Sequence, residues 1–240
     1  MKDSEPIFNV PGAVLAVLAV LAAIHGLRTL LDPETDLWLV YVLAFIPARY
    51  DGLAAELPGG ETAALTSFAT HMLVHGDIVH LLLNLAWLLA FGGAIALRVG
   101  SARFLAFAIV CGIAGALTFL FVNPGLATPV VGASGAVSGL MGGAMRFLFS
   151  AIDEGGARRL REAPHRARLM SLPEALSDQR VLLTTAIWLL INVLATFGFG
   201  GGGADGRIAW ETHIGGYVAG LLLFGLFDRP APTESQPIQH

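Results

Sequence analysis

The feature that most constrains this chain is a series of apolar runs, each long enough to enter a lipid bilayer. They fall at about 12–30, 78–97, 102–122, 134–150, 181–199 and 208–227. A spanning helix needs roughly 20 mostly apolar residues, so the pattern predicts an all-α polytopic membrane protein of six transmembrane helices. Composition agrees, with 55% of the 240 residues hydrophobic and only 13% charged, against about 25% charged in soluble domains. The net charge of −4 argues against nucleic acid as a partner and leaves the bilayer as the main surrounding. The single cysteine, Cys111, lies in an apolar run and has no intrachain partner for a disulfide.

The first run follows Lys2 but also Asp3 and Glu5, a poor start for a cleaved signal, so it reads as a retained first helix. Residues 1–11 then form a short cytoplasmic segment, 12–228 the membrane domain, and 229–240, with Pro230, Pro232 and Pro237, a disordered tail. The long first loop, 31–77, contains a short apolar piece, Trp38 to Ile46, closed by Pro47. That piece is too short to cross and is expected to lie in the interface or to dip in and return. Loop 151–180 carries Arg158, Arg159, Arg161, Arg166, Arg168 and Arg180, and Arg98, Arg103 and Arg229 add to the same side. The alternate loops are acidic or poor in basic residues. By the positive-inside rule both termini are cytoplasmic.

Topology places the polar residues by depth. Gly132-Ala133-Ser134-Gly135 heads the fourth segment. His213 lies about five residues into the sixth, or ~8 Å at 1.5 Å per residue. His80 and Asn84 lie in the first turns of the second. All four fall in the outer half of the membrane, where polar groups are expensive and usually functional. The fourth segment reads Gly135-x-x-x-Gly139-x-x-x-Gly143 and the sixth Gly216-x-x-x-Gly220. Glycines four apart let helix backbones approach, which would bring Ser134 to His213. A serine hydroxyl is a weak nucleophile until a base takes its proton, and a histidine in hydrogen-bond reach is the usual base. The helix start at Ser134 favours an oxyanion, with the Asn84 amide and His80 as further donors. No Asp or Glu is evident as a third member, so a Ser-His dyad is the economical reading. His71 and His75 fit a structural role at the water-facing end of the second helix, tying the first loop down. A metal or solute transporter built on His71, His75 and His80 is a rival reading.

Taken together, His71-x-x-x-His75-x-x-x-x-His80-x-x-x-Asn84, Gly92-Gly93, Gly132-Ala133-Ser134-Gly135, Met141-Gly142 and His213-x-x-Gly216-x-x-x-Gly220 resemble a rhomboid intramembrane serine protease of bacterial type, over about residues 65–228. The resemblance implies a six-helix bundle in a bacterial inner membrane. It implies Ser134 as nucleophile, His213 as base, and His80, Asn84 and the Ser134 N–H as oxyanion donors. It implies no metal or cofactor, and transmembrane proteins as substrates. It also makes the fifth helix, with Trp188 and Asn192, a candidate lateral gate. Gly132 and Ala133 at the mouth suggest a small side chain before the cleaved bond. Three positions depart from the family pattern. Thr66-Ser67-Phe68 stands where a Trp-Arg is common, Ala96 precedes Arg98 where an acidic residue is common, and Ser138 replaces an aromatic four after the serine. A rhomboid-like protein that binds membrane clients without cutting them is the second reading. Sequence leaves the oligomeric state open.

Overall fold

The computed structural model describes residues 10–196 and 209–228. The expected loop 200–207, the tail 229–240 and most of segment 1–11 lie outside the described residues. Those described are helical, and the only extended pairing among them is a single antiparallel bridge between Phe45 and Val130.

The first apolar run folds as α1 (Gly12–Arg28), 17 residues long. Its last residue anchors it. The Arg28 guanidinium grips both oxygens of Asp36 at 2.6 and 3.0 Å and donates to the His75 carbonyl at 2.7 Å. The first loop is more ordered than its composition suggests. Asp32 caps α2 (Pro33–Leu43) by accepting from the Glu34 and Thr35 N–H groups, and Pro33 supplies a preset first turn. The apolar piece expected at Trp38–Ile46 is therefore split. Its first half belongs to α2, whereas Ala44, Phe45 and Ile46 leave the helix and are fully buried. Arg49, also buried, holds this turn by donating to the carbonyls of Tyr41 and Pro58. α3 (Gly60–Thr70) follows and is tied back to α2 by the Thr70 hydroxyl on the Leu43 carbonyl.

α4 (Ile78–Trp87), a π-helical turn at Leu88–Gly92 and α5 (Gly93–Val99) make one 22-residue apolar helix. α6 (Ser101–Val122) is a second of equal length. These two are long and apolar enough to cross a membrane. The fourth segment behaves differently. α7 (Ser134–Met145) stops after 12 residues and α8 (Leu148–Glu162), itself kinked at Gly155 and Gly156, leaves at 51° over Leu148–Gly156. The cause is Arg146, which is buried at the bend with its guanidinium on the carbonyls of Met170 and Leu221. A buried cation survives there because backbone oxygens surround it. Counted as one bent span, the pair makes three. α8 and α9 (Leu172–Ser177) run through what reads in sequence as a polar loop. α10 (Gln179–Thr196) and α11 (Trp210–Phe227) complete the bundle.

The heart of the fold is a three-helix contact in which α11 packs on α7 and α6, and α6 on α7. Glycine makes it possible. A Cβ on Gly216 would overlap the backbone of Gly135, and one on Gly220 that of Gly139. One on Gly139 would strike Cys111 of α6, and one on Gly115 of α6 would lie 2.6 Å from the Thr212 carbonyl oxygen. Small residues of this kind replace the hydrophobic drive that lipid removes. Outward faces are apolar instead, with Leu82, Leu83, Ile109, Leu117, Leu183, Leu190 and Leu222 exposed.

At the opposite end from Ser134, Arg98 closes the bundle. It grips Asp228 through two bonds of 2.9 and 2.7 Å, donates to the carbonyls of Pro164 and Ala167, and lies 4.5 Å over the Phe147 ring. Its carboxylate partner is Asp228, just beyond α11, and not the residue at the Ala96 position two before it. In the 151–180 stretch, Arg168 pairs with Glu174, and Arg180 with Asp153 and Asp178. Glu174 also closes a capping box on Ser171, and that backbone N–H, with Arg168, holds its carboxyl down to about 2. Removing one member of a buried pair typically costs about 3–5 kcal/mol, while exposed pairs contribute little. Asp228→Ala should therefore lower the melting temperature in detergent sharply and Arg168→Ala should barely move it. Similar melting of the two variants would contradict this ranking.

Candidate active site

The loop before α7 is shaped by two histidines and a glycine. Gly132 has φ +115°, a left-handed conformation that side chains rarely adopt. A Cβ there would also lie 2.6 Å from the His80 ring nitrogen Nε2. Gly132 donates its N–H to the His71 carbonyl at 2.9 Å, and Ala133 donates to His75 Nε2 at 3.4 Å. Burial, with His80 nearby, pushes His75 down to about 3, so its ring is neutral and able to accept. His71 is likewise pushed down to about 4 by burial and bonds the Ser67 carbonyl through Nδ1. These two residues thus tie the first loop to the turn that delivers Ser134. The three histidines do not converge. His71 faces Ser67, His75 faces Ala133, and among the described residues no three His, Cys, Asp or Glu side chains gather as a ligand set.

Ser134 is the first residue of α7. The first N–H groups of a helix lack intrahelical partners and carry the positive end of its dipole. Across the glycine contact, α11 presents His213, whose Nε2 lies 2.8 Å from Ser134 Oγ although 79 positions separate them. Both side chains are partly accessible. Glu211, two residues earlier, points away and accepts from Asn123 at 3.2 Å.

α4 brings the remaining polar groups. Asp77 caps it through the His80 N–H at 2.8 Å. The His80 ring meets His75 edge-on, with centroids 5.1 Å apart, and lies against Gly132. Asn84, one turn further on, donates to the His80 carbonyl at 2.9 Å. Its Oδ1 is buried with no partner among the described residues. Ser134 and His213 therefore meet beside the Gly132 turn, against which His80 packs, with Asn84 one turn beyond His80 on α4.

One contact is invisible in sequence. Asn192 of α10 meets His213 Nδ1 through its side-chain oxygen. Its position in the fifth apolar run marks it as costly, but no local spacing links it to a residue 21 positions away. Ser138 is buried in α7. Among the described residues no aromatic ring stacks on His213.

Chemically, the arrangement couples a hydroxyl to an imidazole beside a helix N-terminus, which is what acyl transfer through a serine requires. Comparison with curated proteins returned no significant match. A family model of the rhomboid domain matches residues 62–229, which spans α3 to α11 and every residue of the site. With that match over more than two thirds of its length, the chain belongs to the rhomboid family.

Proposed function

We propose that this protein is an intramembrane serine endopeptidase that hydrolyses peptide bonds in or near the transmembrane segments of other membrane proteins. The observation that carries the reading is the 2.8 Å approach of Ser134 Oγ to His213 Nε2 at the start of a helix. Membership of a family whose members are typically such proteases supports it. The reading includes a six-span bundle with both termini in the cytoplasm of a bacterial cell, which puts the Ser134 end of the bundle toward the outer face.

His213 takes the Ser134 proton on Nε2 as Oγ attacks the scissile carbonyl carbon. The carbonyl oxygen becomes an oxyanion, facing the Ser134 N–H, with His80 and the second N–H of the Asn84 amide as side-chain donors. Collapse breaks the C–N bond, and the departing amine leaves with the proton from Nε2. Water, deprotonated by the same nitrogen, then attacks the acyl-enzyme. The new carboxylate leaves and Ser134 regains its proton. Substrate must reach Ser134 as extended chain, because a closed helix keeps its carbonyls in its own hydrogen bonds. Glycine or proline near the cleaved bond eases that unwinding. Gly132 and Ala133, packed at the mouth, favour a small side chain before that bond.

The test is cleavage of a single-span substrate by purified protein in lipid vesicles. Ser134→Ala should abolish it without loss of fold. His213→Ala should be nearly as inactive, and the double variant little worse than either, since residues acting as a unit are grossly non-additive. Native turnover by Ser134→Ala, or losses that multiply, would overturn the assignment. A native protein that binds the substrate without cutting it would point to the client-binding reading instead. Asn84→Ala should retain residual activity, down by about 10²–10³ as for loss of one oxyanion donor. Unchanged turnover would remove Asn84 from the site.

A further inference from the structure

Resting on the reading of Ser134 and His213 as the reacting pair, we propose that Asn192 is a positioning residue that fixes His213 in the tautomer and orientation needed to accept the Ser134 proton. The site is then a Ser-His pair assembled from α7 and α11, with a neutral amide of α10 orienting the base.

The argument begins with the cost of Asn192 itself. It is 8% exposed in an apolar helix, and a buried amide needs its hydrogen bonds met. Its amide nitrogen donates to the Trp188 carbonyl at 2.8 Å, one turn back on α10. That bond decides which end of the amide faces α11. Rotating the amide by half a turn would set Oδ1 against the Trp188 oxygen, two acceptors together. Oδ1 therefore points at His213 Nδ1, and an acceptor there requires Nδ1 to carry the hydrogen. In neutral imidazole the other nitrogen, Nε2, then holds the lone pair. Nε2 is the atom 2.8 Å from Ser134 Oγ. One backbone carbonyl on α10 thus propagates through an amide to the base.

The contact belongs to a continuous seam. Thr185 and Trp188 of α10 both meet Tyr217 of α11, the first through hydroxyls and the second by ring stacking at 4.8 Å. Asn192 and His213 sit one turn further along each helix. The Trp188 carbonyl orients the amide independently of the Thr185 contact, and with no ring stacked on His213 among the described residues, hydrogen bonds at its two nitrogens hold the imidazole plane. An amide also suits the medium. A carboxylate in the same place would carry a charge into surroundings where desolvation is expensive, whereas Asn192 selects the tautomer with no net charge.

The experiment measures kcat and KM separately for vesicle-reconstituted native protein, Asn192→Leu, Asn192→Asp, Thr185→Val and Ser134→Ala on one single-span substrate, with melting of each. Leucine matches the amide in size but cannot accept. Asn192→Leu should lose about 10–100-fold in kcat, the range seen when a group orienting a metal-bound histidine is removed, with KM within about twofold. Asn192→Asp should recover most of that loss, because a carboxyl kept neutral by its apolar surroundings donates its O–H to the Trp188 carbonyl and accepts from the same Nδ1–H through its other oxygen. Thr185→Val, which cuts the seam elsewhere, should keep native kcat. Native kcat in Asn192→Leu would overturn the proposal. So would equal losses in Asn192→Leu and Thr185→Val accompanied by equal drops in melting, or an Asn192→Asp protein as slow as Asn192→Leu. Native cleavage by Ser134→Ala would instead overturn the serine reading and take the Asn192 role with it, so the two failures are distinguishable.

Discussion

The backbone-to-backbone contact between α7 and α11 is the constraint on which the rest of this molecule depends. Gly216 sits against Gly135 and Gly220 against Gly139, at separations that leave no space for a methyl group. Helices in lipid gain nothing from burying apolar surface against one another, since the tails are equally apolar. Close packing is what remains, and glycine maximises it. The same contact fixes the distance between Ser134, one residue before Gly135, and His213, three before Gly216. Stability and the proposed chemistry are therefore written into the same few residues.

Around that contact the polar groups are distributed so that each expensive one positions something. Arg28 holds the turn at His75, and His75 and His71 hold the turn that presents Ser134. Arg146 ends α7 and sets the bend into α8. Arg98 and Asp228 clamp the far end of α11. Arg146 and Arg98 sit at the other ends of α7 and α11 from Ser134 and His213, and the Ser134 end is left with small residues and groups such as Asn84 Oδ1 that have no partner among the described residues. Under the proposed function this fits, because a site that admits an extended peptide and water is not filled with mutually satisfied side chains.

How much of this was legible in sequence follows from how far each signal travels along the chain. Four-residue glycine spacing is local, so the seams on α7 and α11 could be read directly, as could the apolar character that makes the protein helical and membrane-bound. The Gly132-Ala133-Ser134-Gly135 turn was equally plain. Long-range partners were not. Arg98 finds its carboxylate 130 positions away in Asp228, and Asn192 finds His213 on another helix. A polar residue in an apolar run announces that it must be satisfied but not by what. The first and fourth apolar runs also read as simpler than they are. The first gives a 17-residue helix, and the fourth breaks at Arg146 because its side chain turns inward to backbone carbonyls. The polar stretch after it hides most of α8 and all of α9; a Ser171–Glu174 capping box starts α9, and Arg180 ties Asp153 of α8 to the start of α10.

The claim that ties these together is that helix approach at the glycine contact sets the reactivity of Ser134. The most direct measurement is the rate at which a fluorophosphonate labels Ser134, located by mass spectrometry, in native protein, Gly216→Ala and Gly93→Ala. A methyl group at Gly216 meets the Gly135 backbone, whereas one at Gly93 meets nothing within 4 Å. A displacement of about 1 Å at a reacting pair can cost roughly 10²-fold. Labelling of Ser134 should fall by about that factor in Gly216→Ala and stay at the native rate in Gly93→Ala. Native labelling in Gly216→Ala would contradict the account, because Ser134 and His213 would then meet without the contact said to bring them together.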